Sequence, residues 1–387
     1  MASPQDIFSK KKIMTPQTEA ELAEMIRAAG APLNIQGGGT RPVGQTVATD
    51  VLSTSAMTGI TLYEPGALTL AAKAGTPLAE IKAALASEGQ RLAFEPMDHR
   101  GLLATTGTPT IGGVMAANVS GPRRVAVGAA RDFLLGVRFV DGQARVLKNG
   151  GRVMKNVTGY DLVKLMAGSH GTLGVLSEVS LKVLPKSEMT GVLLCEGLSD
   201  EVAVCALCRA LGSPFEATGV AHLQKGMDGA PVTMIRLEGF ETSVTYRARE
   251  MQALLSDLGD FTLETDQART DAGWNYVRDV APFHDRTGDV WRLSVKPTDA
   301  PGVVAQLDGA QAIYDWGGGL IWLLSPAGMT AGTVRRAVGQ VGGHATRLRG
   351  TGDAPAFHPA LPAVAALEAG LRQKFDPRGI LNPGLMG

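Results

Sequence analysis

The hydrophobic positions of residues 1–185 change period several times along the chain. Apolar residues recur at helical spacing over 20–29 and 78–88, and residues 159–166 have the length of one short helix. The hydroxyl and acidic residues of 15–19 are typical of a helix start. Short or alternating apolar runs predict strands at 32–35, 46–54, 60–63, 67–73, 137–140, 144–147 and 175–184. Helices and strands therefore alternate, which indicates an α+β or α/β fold.

The pattern changes after Pro185, where a second unit begins. Strand-like and helix-like stretches alternate over 186–350, and we expect an α+β domain whose sheet is covered on one face. Residues 350–359 are rich in proline and glycine and indicate a linker, whereas 361–375 has helical spacing. No internal repeat is visible. The sequence therefore predicts three segments, at 1–185, 186–350 and 351–387.

Charge and composition narrow the classes of partner. The chain has 37 Lys+Arg and 37 Asp+Glu residues, so no overall field favours nucleic acid or an anionic membrane surface. Residues 1–12 contain no apolar core of signal-peptide length, and no apolar run is long enough to cross a bilayer. We therefore expect a soluble, cytoplasmic protein.

The cysteines and histidines predict neither a disulfide framework nor a metal site. Cys205 and Cys208 form a single C-x-x-C pair inside an apolar helical pattern, where core thiols are the expected role. No two of the six histidines sit at metal-ligand spacing. No Ser or Cys nucleophile has a local activating signature either.

The most informative stretch follows the predicted strand at 32–35. Gly37, Gly38 and Gly39 come in succession, and Thr40 and Arg41 follow them. Glycines let a ligand approach the backbone closely, and successive free N–H groups form a nest for an anion. Because the hydroxyl and the cation can add to this nest, a bound phosphate or pyrophosphate is one interpretation. A turn that only connects two elements is the other.

Two further segments have little side-chain volume, at 107–121 and 168–174. Backbones of this kind must pack closely against each other or against a flat ligand. The glycine spacing matches neither the Gly-x-Gly-x-x-Gly dinucleotide motif nor a P-loop. A Rossmann or P-loop nucleotide site is therefore not predicted.

The order and wording of these three segments resemble the FAD-binding domain of the vanillyl-alcohol oxidase superfamily, also called PCMH-type. The resemblance covers residues 14–185 and the last dozen residues. It implies an α+β fold: a two-subdomain FAD-binding domain, a cap domain with an antiparallel sheet, and a C-terminal segment that returns to the FAD-binding domain. The residues that it assigns to the cofactor are Gly37, Gly38, Gly39, Thr40, Arg41, Thr110, Ile111, Gly112, Gly113, Asn118, Ser120, Gly121, Gly171, Thr172, Val175 and Asn382.

The first glycine loop also bears on how the flavin is held. Many members of the superfamily tether the flavin through a histidine in this loop. Thr40 occupies that position here, so the resemblance implies FAD bound without a covalent link. Backbone N–H groups can bind a pyrophosphate with little added charge, which agrees with the balanced composition.

Within the superfamily, residues 120–124, 131–136 and 155–162 look most like the FAD-binding E subunits of bacterial glycolate oxidases. The second-domain phrases at 291–294 and 315–320 look similar to them as well. This resemblance implies oxidation of glycolate, a 2-hydroxy acid, to glyoxylate. It also implies a complex with a related flavin subunit and an iron–sulfur subunit that receives the electrons. Contact with the inner face of the bacterial membrane would then come only through these partners.

One departure leaves other functions open. The wider group of 2-hydroxy-acid dehydrogenases carries a histidine-rich metal and substrate motif in the second domain, and this sequence has no counterpart. An FAD-carrying assembly or electron-relay subunit without its own substrate site is therefore a second hypothesis. A stand-alone flavin oxidase of another alcohol is a third.

Three residues are candidates for the chemistry. Arg292 and Lys296 alternate on a predicted strand and could hold a substrate carboxylate, for which arginine offers a bidentate fork. An exposed strand face is the alternative interpretation. Tyr160 could place its hydroxyl near the flavin ring, and packing of its own helix is equally compatible with the sequence.

Overall fold

The computed structural model describes residues 12–152 and 159–386. Its N-terminal domain contains a small parallel sheet, a five-stranded antiparallel sheet, a two-stranded pair and short helices. The elements are β1 (Ile13–Met14), α1 (Glu19–Ala28), β2 (Leu33–Gln36), β3 (Asp50–Ser53), β4 (Ile60–Glu64), β5 (Thr69–Lys73), α2 (Leu78–Ser87), β6 (Gln90–Arg91), α3 (Arg100–Leu103), α4 (Ile111–Ala116), α5 (Arg124–Val127), α6 (Ala130–Phe133), β7 (Leu134–Val140), β8 (Val146–Gly150), α7 (Leu162–Met166), β9 (Val175–Lys182) and β10 (Leu184–Pro185).

The sheets of this domain place its glycine-rich turns. The small sheet has the parallel order β1-β3-β2, and the larger sheet has the antiparallel order β4-β5-β9-β7-β8. The first glycine loop follows β2, and the third precedes β9. Helix α1 begins where the sequence predicts, because the Thr18 hydroxyl accepts a hydrogen bond from the amide of Glu21 (3.2 Å). Its buried Leu22 and Ile26 then fix the helix on the core.

The second domain is built on one eight-stranded antiparallel sheet with the order β14-β11-β13-β12-β16-β17-β15-β18. Its elements are β11 (Met189–Glu196), α8 (Asp200–Leu211), β12 (Gly219–Leu223), β13 (Val232–Gly239), α9 (Glu241–Leu255), β14 (Thr262–Glu264), α10 (Gln267–Arg278), β15 (Asp289–Ser294), α11 (Ala300–Ala305), β16 (Gln311–Asp315), β17 (Leu320–Ser325), α12 (Ala331–Gly339) and β18 (His344–Arg349).

This sheet is an internal duplication that the sequence does not reveal. Each half has the order β-α-β-β-α-β, and in each half the first strand pairs with the third and fourth. The halves join where β12 pairs with β16. Helices α8, α9, α11 and α12 cover one face, while the other carries α10 and faces the N-terminal domain. The structure and its relatives confirm the predicted α+β class and antiparallel second sheet.

A buried cluster of ions joins the two domains. Arg123 of the N-terminal domain lies 2.7 Å from Glu95 and 2.8 Å from Glu238, and Arg91 lies 2.6 Å from Glu238. Arg236 of the second domain completes the cluster, 3.0 Å from Glu95. Burial alone would raise the pKa of both carboxyl groups, but the guanidinium groups outweigh it and lower both pKa values. The cluster therefore fixes how the two domains meet along the site described below.

The chain ends with α13 (Pro362–Phe375) and a segment that returns to the first domain. The amide of Leu33 donates to the carbonyl of Ile380 (2.7 Å), and the amide of Asn382 donates to the carbonyl of Leu33 (2.9 Å). This segment thus lies along β2, beside the first glycine loop.

Two predicted elements are markedly shorter in the structure. The strand predicted at 46–54 is limited to β3, because Thr46 and Val47 instead bond to the carbonyl of Pro383 at 2.9 and 3.1 Å. The helix predicted at 159–166 begins later, since the Asp161 carboxylate caps α7 by accepting from the amide of Lys164 (3.0 Å).

Candidate functional site

The three glycine-rich segments meet around one cavity of about 450 Å³. Three segments contribute to its wall. They are residues 34–46, which include most of β2 and the first glycine loop, residues 109–119, which include α4, and residues 170–176, which include the third glycine-rich turn and the first residues of β9. Asn382 closes the wall from the C-terminal segment, because its side chain accepts from the Ile35 amide (2.7 Å) and donates to the His170 carbonyl (2.8 Å). Segments that are far apart in sequence thus share one site.

Two of these segments pack backbone against backbone. A Cβ on Gly38 would lie 1.6 Å from the carbonyl oxygen of Thr108, and one on Gly107 would lie 1.8 Å from the carbonyl oxygen of Gly38. Neither position can carry a side chain without a shift of the main chain. Gly39 differs, because it has a positive φ of 71° and its Cβ would be 3.9 Å from the nearest atom.

The first loop also offers hydrogen-bond donors to a ligand. Within the described part of the chain, the amides of Gly38, Gly39, Thr40 and Arg41 donate to no protein acceptor. Four consecutive free N–H groups on the cavity wall form the nest that suits a pyrophosphate. The residues present therefore fit a dinucleotide diphosphate.

The second segment is anchored so that its glycines face the cavity. The Thr110 hydroxyl accepts from the amide of Gly113 (3.3 Å), and the amides of Ile111 and Gly112 donate to the carbonyls of Thr76 and Ala74. Ile111 points into the core, while Thr110, Gly112 and Gly113 line the cavity.

The remaining residues of the predicted cofactor set fall into two groups. Those that line the cavity, besides the residues already described, are Gly37, Gly171 and Val175. Those that lie behind its wall bond to the protein: Asn118 accepts from the Arg131 amide, Ser120 from the Ala130 amide, the Gly121 amide donates to Phe94, and the Thr172 hydroxyl donates to Ser169.

Arg41 is held at the cavity by two histidines that the sequence analysis did not single out. Its Nε donates to Nε2 of His99 (3.2 Å), and its Nη1 lies 3.5 Å from Nδ1 of His170. Burial, followed by the charge of Arg41, lowers the pKa of both histidines to about 3. They are therefore neutral near pH 7, and neither compensates the charge on Arg41.

A cluster of cations lies next to Arg41, where the second domain meets the first. The guanidinium carbons of Arg124 and Arg292 lie 4.6 and 5.2 Å from the ring centroid of Trp316. The Trp316 indole donates to the carbonyl of Gly121 (3.1 Å), which ties this turn to the N-terminal domain. Burial, and then Arg292, lower the pKa of Arg41 to about 10.

The carboxylates near this cluster do not neutralise it. Among the described residues, no Asp or Glu lies within 4 Å of the guanidinium of Arg41, Arg124 or Arg292. Asp315 accepts from the amide of Trp316 (2.7 Å), and burial raises the pKa of Asp315 to about 7. The cluster, which we call the arginine cluster (Arg41, Arg124 and Arg292), therefore favours an anionic ligand.

The structure separates the three residues predicted for the chemistry. Arg292 is half-buried in the arginine cluster. Lys296 is exposed and follows the end of β15 at Ser294, so the predicted strand alternation does not extend to it. Tyr160 is 88% exposed and does not line the cavity. Of the phrase 155–162, residues 155–158 lie outside the described residues.

The described residues contain no group of three or more His, Cys, Asp or Glu side chains able to hold a metal ion. No helix among residues 12–152 and 159–386 is long and apolar enough to span a bilayer.

Comparisons with known proteins agree with this geometry. A family profile described as an FAD binding domain matches residues 11–150. The chain is 39% identical to the glycolate oxidase subunit GlcE of Escherichia coli (strain K12) over 357 residues, which cover 92% of this chain and 92% of that protein. It is 25% identical to the glycolate oxidase subunit GlcD of Bacillus subtilis (strain 168), over 100% of this chain and 90% of that protein.

A solved structure shows the same fold. An alkyldihydroxyacetonephosphate synthase superposes with a TM-score of 0.70 at 16% identity, covering 96% of this chain and 76% of that chain. The two relatives named above are glycolate oxidase subunits, and FAD is confirmed as the cofactor of this chain. The chain therefore belongs to the PCMH-type FAD-binding family, together with the glycolate oxidase subunits.

Proposed function

We propose that this chain is the FAD-binding subunit of a complex that oxidises glycolate, or a similar small 2-hydroxy acid, to the 2-oxo acid and passes the electrons to an iron–sulfur subunit. One observation supports it most: among the described residues no carboxylate lies within 4 Å of a guanidinium group of the arginine cluster, and the cluster lies next to the glycine-lined cavity. A cationic pocket without acidic partners suits a small carboxylate substrate. The names of the two full-length relatives agree with this proposal.

FAD, when bound, supplies the two-electron acceptor that removes a hydride from the substrate carbon bearing the hydroxyl group. The free amides of 38–41 hold its pyrophosphate, and Asn382 keeps the surrounding segments together. Thr40 offers no nucleophilic nitrogen, so we propose that the cofactor is not covalently attached.

The side chains around the cavity bind the substrate and stabilise the charge that develops on it. Arg292 holds the substrate carboxylate, and Arg124, which also lies against Trp316, adds a second positive charge. The imidazoles of His99 and His170 orient the Arg41 guanidinium, and a pKa of about 3 makes both too weakly basic to take the proton of the substrate hydroxyl. Arg41 lies against both imidazoles and stabilises the negative charge that develops on the substrate oxygen.

An anaerobic reduction experiment tests the substrate site. Purified protein is mixed with glycolate, and absorbance is followed at roughly 450 nm, where oxidised flavin absorbs. We expect bleaching in the wild type and its loss in Arg292→Ala with FAD retained. Arg336→Ala, which removes an exposed arginine on α12, is the matched control and should bleach normally. Equal bleaching in Arg292→Ala would refute the assigned role.

A second function is favoured by one observation. The described residues hold no cluster of metal-ligating side chains, although the wider 2-hydroxy-acid dehydrogenase group is expected to carry one. An electron-relay subunit would keep its FAD oxidised with glycolate alone. Its FAD would become reduced only after the complex with the related flavin subunit and the iron–sulfur subunit is restored. The same anaerobic experiment, with and without these partners, separates the two functions.

A further inference from the structure

Helix α13 carries an apolar surface that no part of residues 12–152 and 159–386 covers. From residue 359 to residue 370 every residue is exposed, and Glu368 is the only charged one. Leu361 and Leu367 are 74% and 71% exposed, and Val364 is 45% exposed. None of the fourteen residues of the helix is buried. A helix that is apolar on most sides is normally covered, so this surface indicates an interface.

The apolar side chains of α13 form one continuous stripe. Val364, Leu367, Leu371 and Phe375 follow at spacings of three or four residues, which places them on one face. Leu371 and Phe375 pack against the core of the N-terminal domain, with the Phe375 ring 6.2 Å from that of Phe139. Val364 and Leu367 extend the stripe past that core. A partner that covers Val364 and Leu367 would therefore lie beside the surface of the N-terminal domain on which Leu371 and Phe375 pack.

The helix is fixed at both ends and is therefore preorganised. Before it, the Arg335 guanidinium donates to the carbonyl of Phe357 (3.0 Å), and the amide of Ala345 donates to Nδ1 of His358 (3.3 Å). After it, the Arg378 guanidinium donates to the carbonyl of Ile26 (2.9 Å). These contacts hold the segments on both sides of the helix. A rigid apolar surface binds a partner with little ordering cost.

We propose that Val364 and Leu367 dock into an apolar groove of another protein subunit of the same oxidoreductase complex. The proposal rests on the proposed function as a subunit of a complex. Residues 354–371 contain no lysine or arginine, whereas a helix that binds an anionic membrane carries such residues beside its apolar face. Depletion of charge and a stripe with three–four spacing suit a groove that accepts one helix face. The relatives' names, GlcE and GlcD, both describe subunits of an assembly.

The test is assembly with Leu367→Glu. The tagged chain is co-expressed with the related flavin subunit and the iron–sulfur subunit, and the complex is isolated through the tag and weighed by light scattering. Loss of a central anchor weakens an interface by at least about 30-fold, so we expect the variant to elute alone. Its FAD content and thermal midpoint should equal those of the wild type, because the replaced side chain is exposed. Tyr246→Glu, on the exposed face of α9, is the control and should assemble normally.

Three results would overturn the proposal. In the first, Leu367→Glu assembles as the wild type does. In the second, the wild-type chain alone forms a dimer that Leu367→Glu dissociates, which would assign the surface to a second copy. In the third, the wild type binds vesicles of phosphatidylglycerol and phosphatidylcholine and Leu367→Glu does not, which would assign it to a membrane. Assembly is measured as the mass of the complex and not as its activity. A wild-type complex that assembles but does not oxidise glycolate would therefore refute the proposed substrate without affecting this test.

Discussion

Gly38→Ala is the sharpest test of how the site is built. The new Cβ would lie 1.6 Å from the carbonyl oxygen of Thr108. Contacts of this kind are not found below 3.0 Å, so one backbone segment must move by roughly 1.4 Å, the difference between the two distances. The Thr108 oxygen is a main-chain atom, and Gly38 lies on the cavity wall. No flexible side chain can absorb the displacement.

The displacement predicts a loss of cofactor affinity. A shift of this size lengthens a hydrogen bond of roughly 2.9 Å to about 4 Å, which breaks it. Each amide-to-phosphate bond contributes about 1.5–3 kcal/mol because its acceptor is charged. Loss of two such bonds from the loop costs roughly 3–6 kcal/mol, so we expect the dissociation constant for FAD to rise by about 10²- to 10⁴-fold.

Two other glycine variants set the scale. Gly39→Ala meets no close atom but forces alanine into a positive φ of 71°, which costs about 1–2 kcal/mol. Gly66→Ala has no atom within 4 Å of its Cβ and should bind FAD normally. Apoprotein is titrated with FAD and the quenching of flavin fluorescence is recorded, while thermal unfolding without FAD checks the fold. Wild-type affinity in Gly38→Ala, or a larger loss in Gly39→Ala, would refute the proposed backbone nest.

Three further predictions concern charge and attachment. Glu238→Ala removes a carboxylate partner from three arginines of the interdomain cluster and should lower the free energy of unfolding by about 3–5 kcal/mol, measured in urea. The wild type should lose this contribution as pH falls below about 4.5, because the pKa values of Glu95 and Glu238 are lower in the folded state than in the unfolded state. Asp315 has the opposite effect, because its pKa rises from 3.8 to about 7 on folding. The free energy of unfolding should therefore decrease by up to roughly 4 kcal/mol as the pH is raised from 3.8 to about 7. Asp315→Asn should abolish that fall in thermal unfolding at pH 5 and pH 8, and an unchanged pH dependence would contradict the assignment. Acid precipitation should leave FAD in the supernatant, whereas a yellow pellet would show covalent attachment.

The local signals that the sequence carries well are caps and turns. The position of α1 follows from its Thr18 cap, and the hairpin of β7 and β8 turns at Asp141, whose carboxylate accepts from the amides of Gln143 and Arg145. Strands β12 and β16 were not predicted: β12 is buried at every position and β16 at all but its first, so neither shows an alternation of apolar and polar residues. Strand β17 is buried at every position as well, and its continuous apolar run did predict a strand-like stretch at 319–324. The duplication of the second domain was missed because it repeats topology rather than sequence pattern.

The candidate site also contains features that the sequence reveals and features that it does not. Glycine-rich turns are visible in sequence because only glycine tolerates the backbone contacts made at Gly38. The partners of Arg41 are not visible, because His99 and His170 lie 58 and 129 residues away along the chain. His170 does adjoin Gly171 in the third glycine-rich turn, which is the one local signal that could have identified it. Arg124 had no local signal, since its role depends on Trp316 from the other domain.

The distribution of charge connects the fold with the proposed chemistry. The chain has no net charge, yet the arginines at the domain boundary and those beside the cavity have different partners. At the domain boundary Arg123 and Arg236 are neutralised by carboxylates, which suits a permanent structural contact. Beside the cavity Arg41 lies against neutral histidines and Arg292 against an indole. A partly buried guanidinium without a counter-ion is costly to the folded state, and an anionic ligand would remove that cost. The uncompensated charge of the arginine cluster thus lies where the cofactor's phosphates and a substrate carboxylate are proposed to bind.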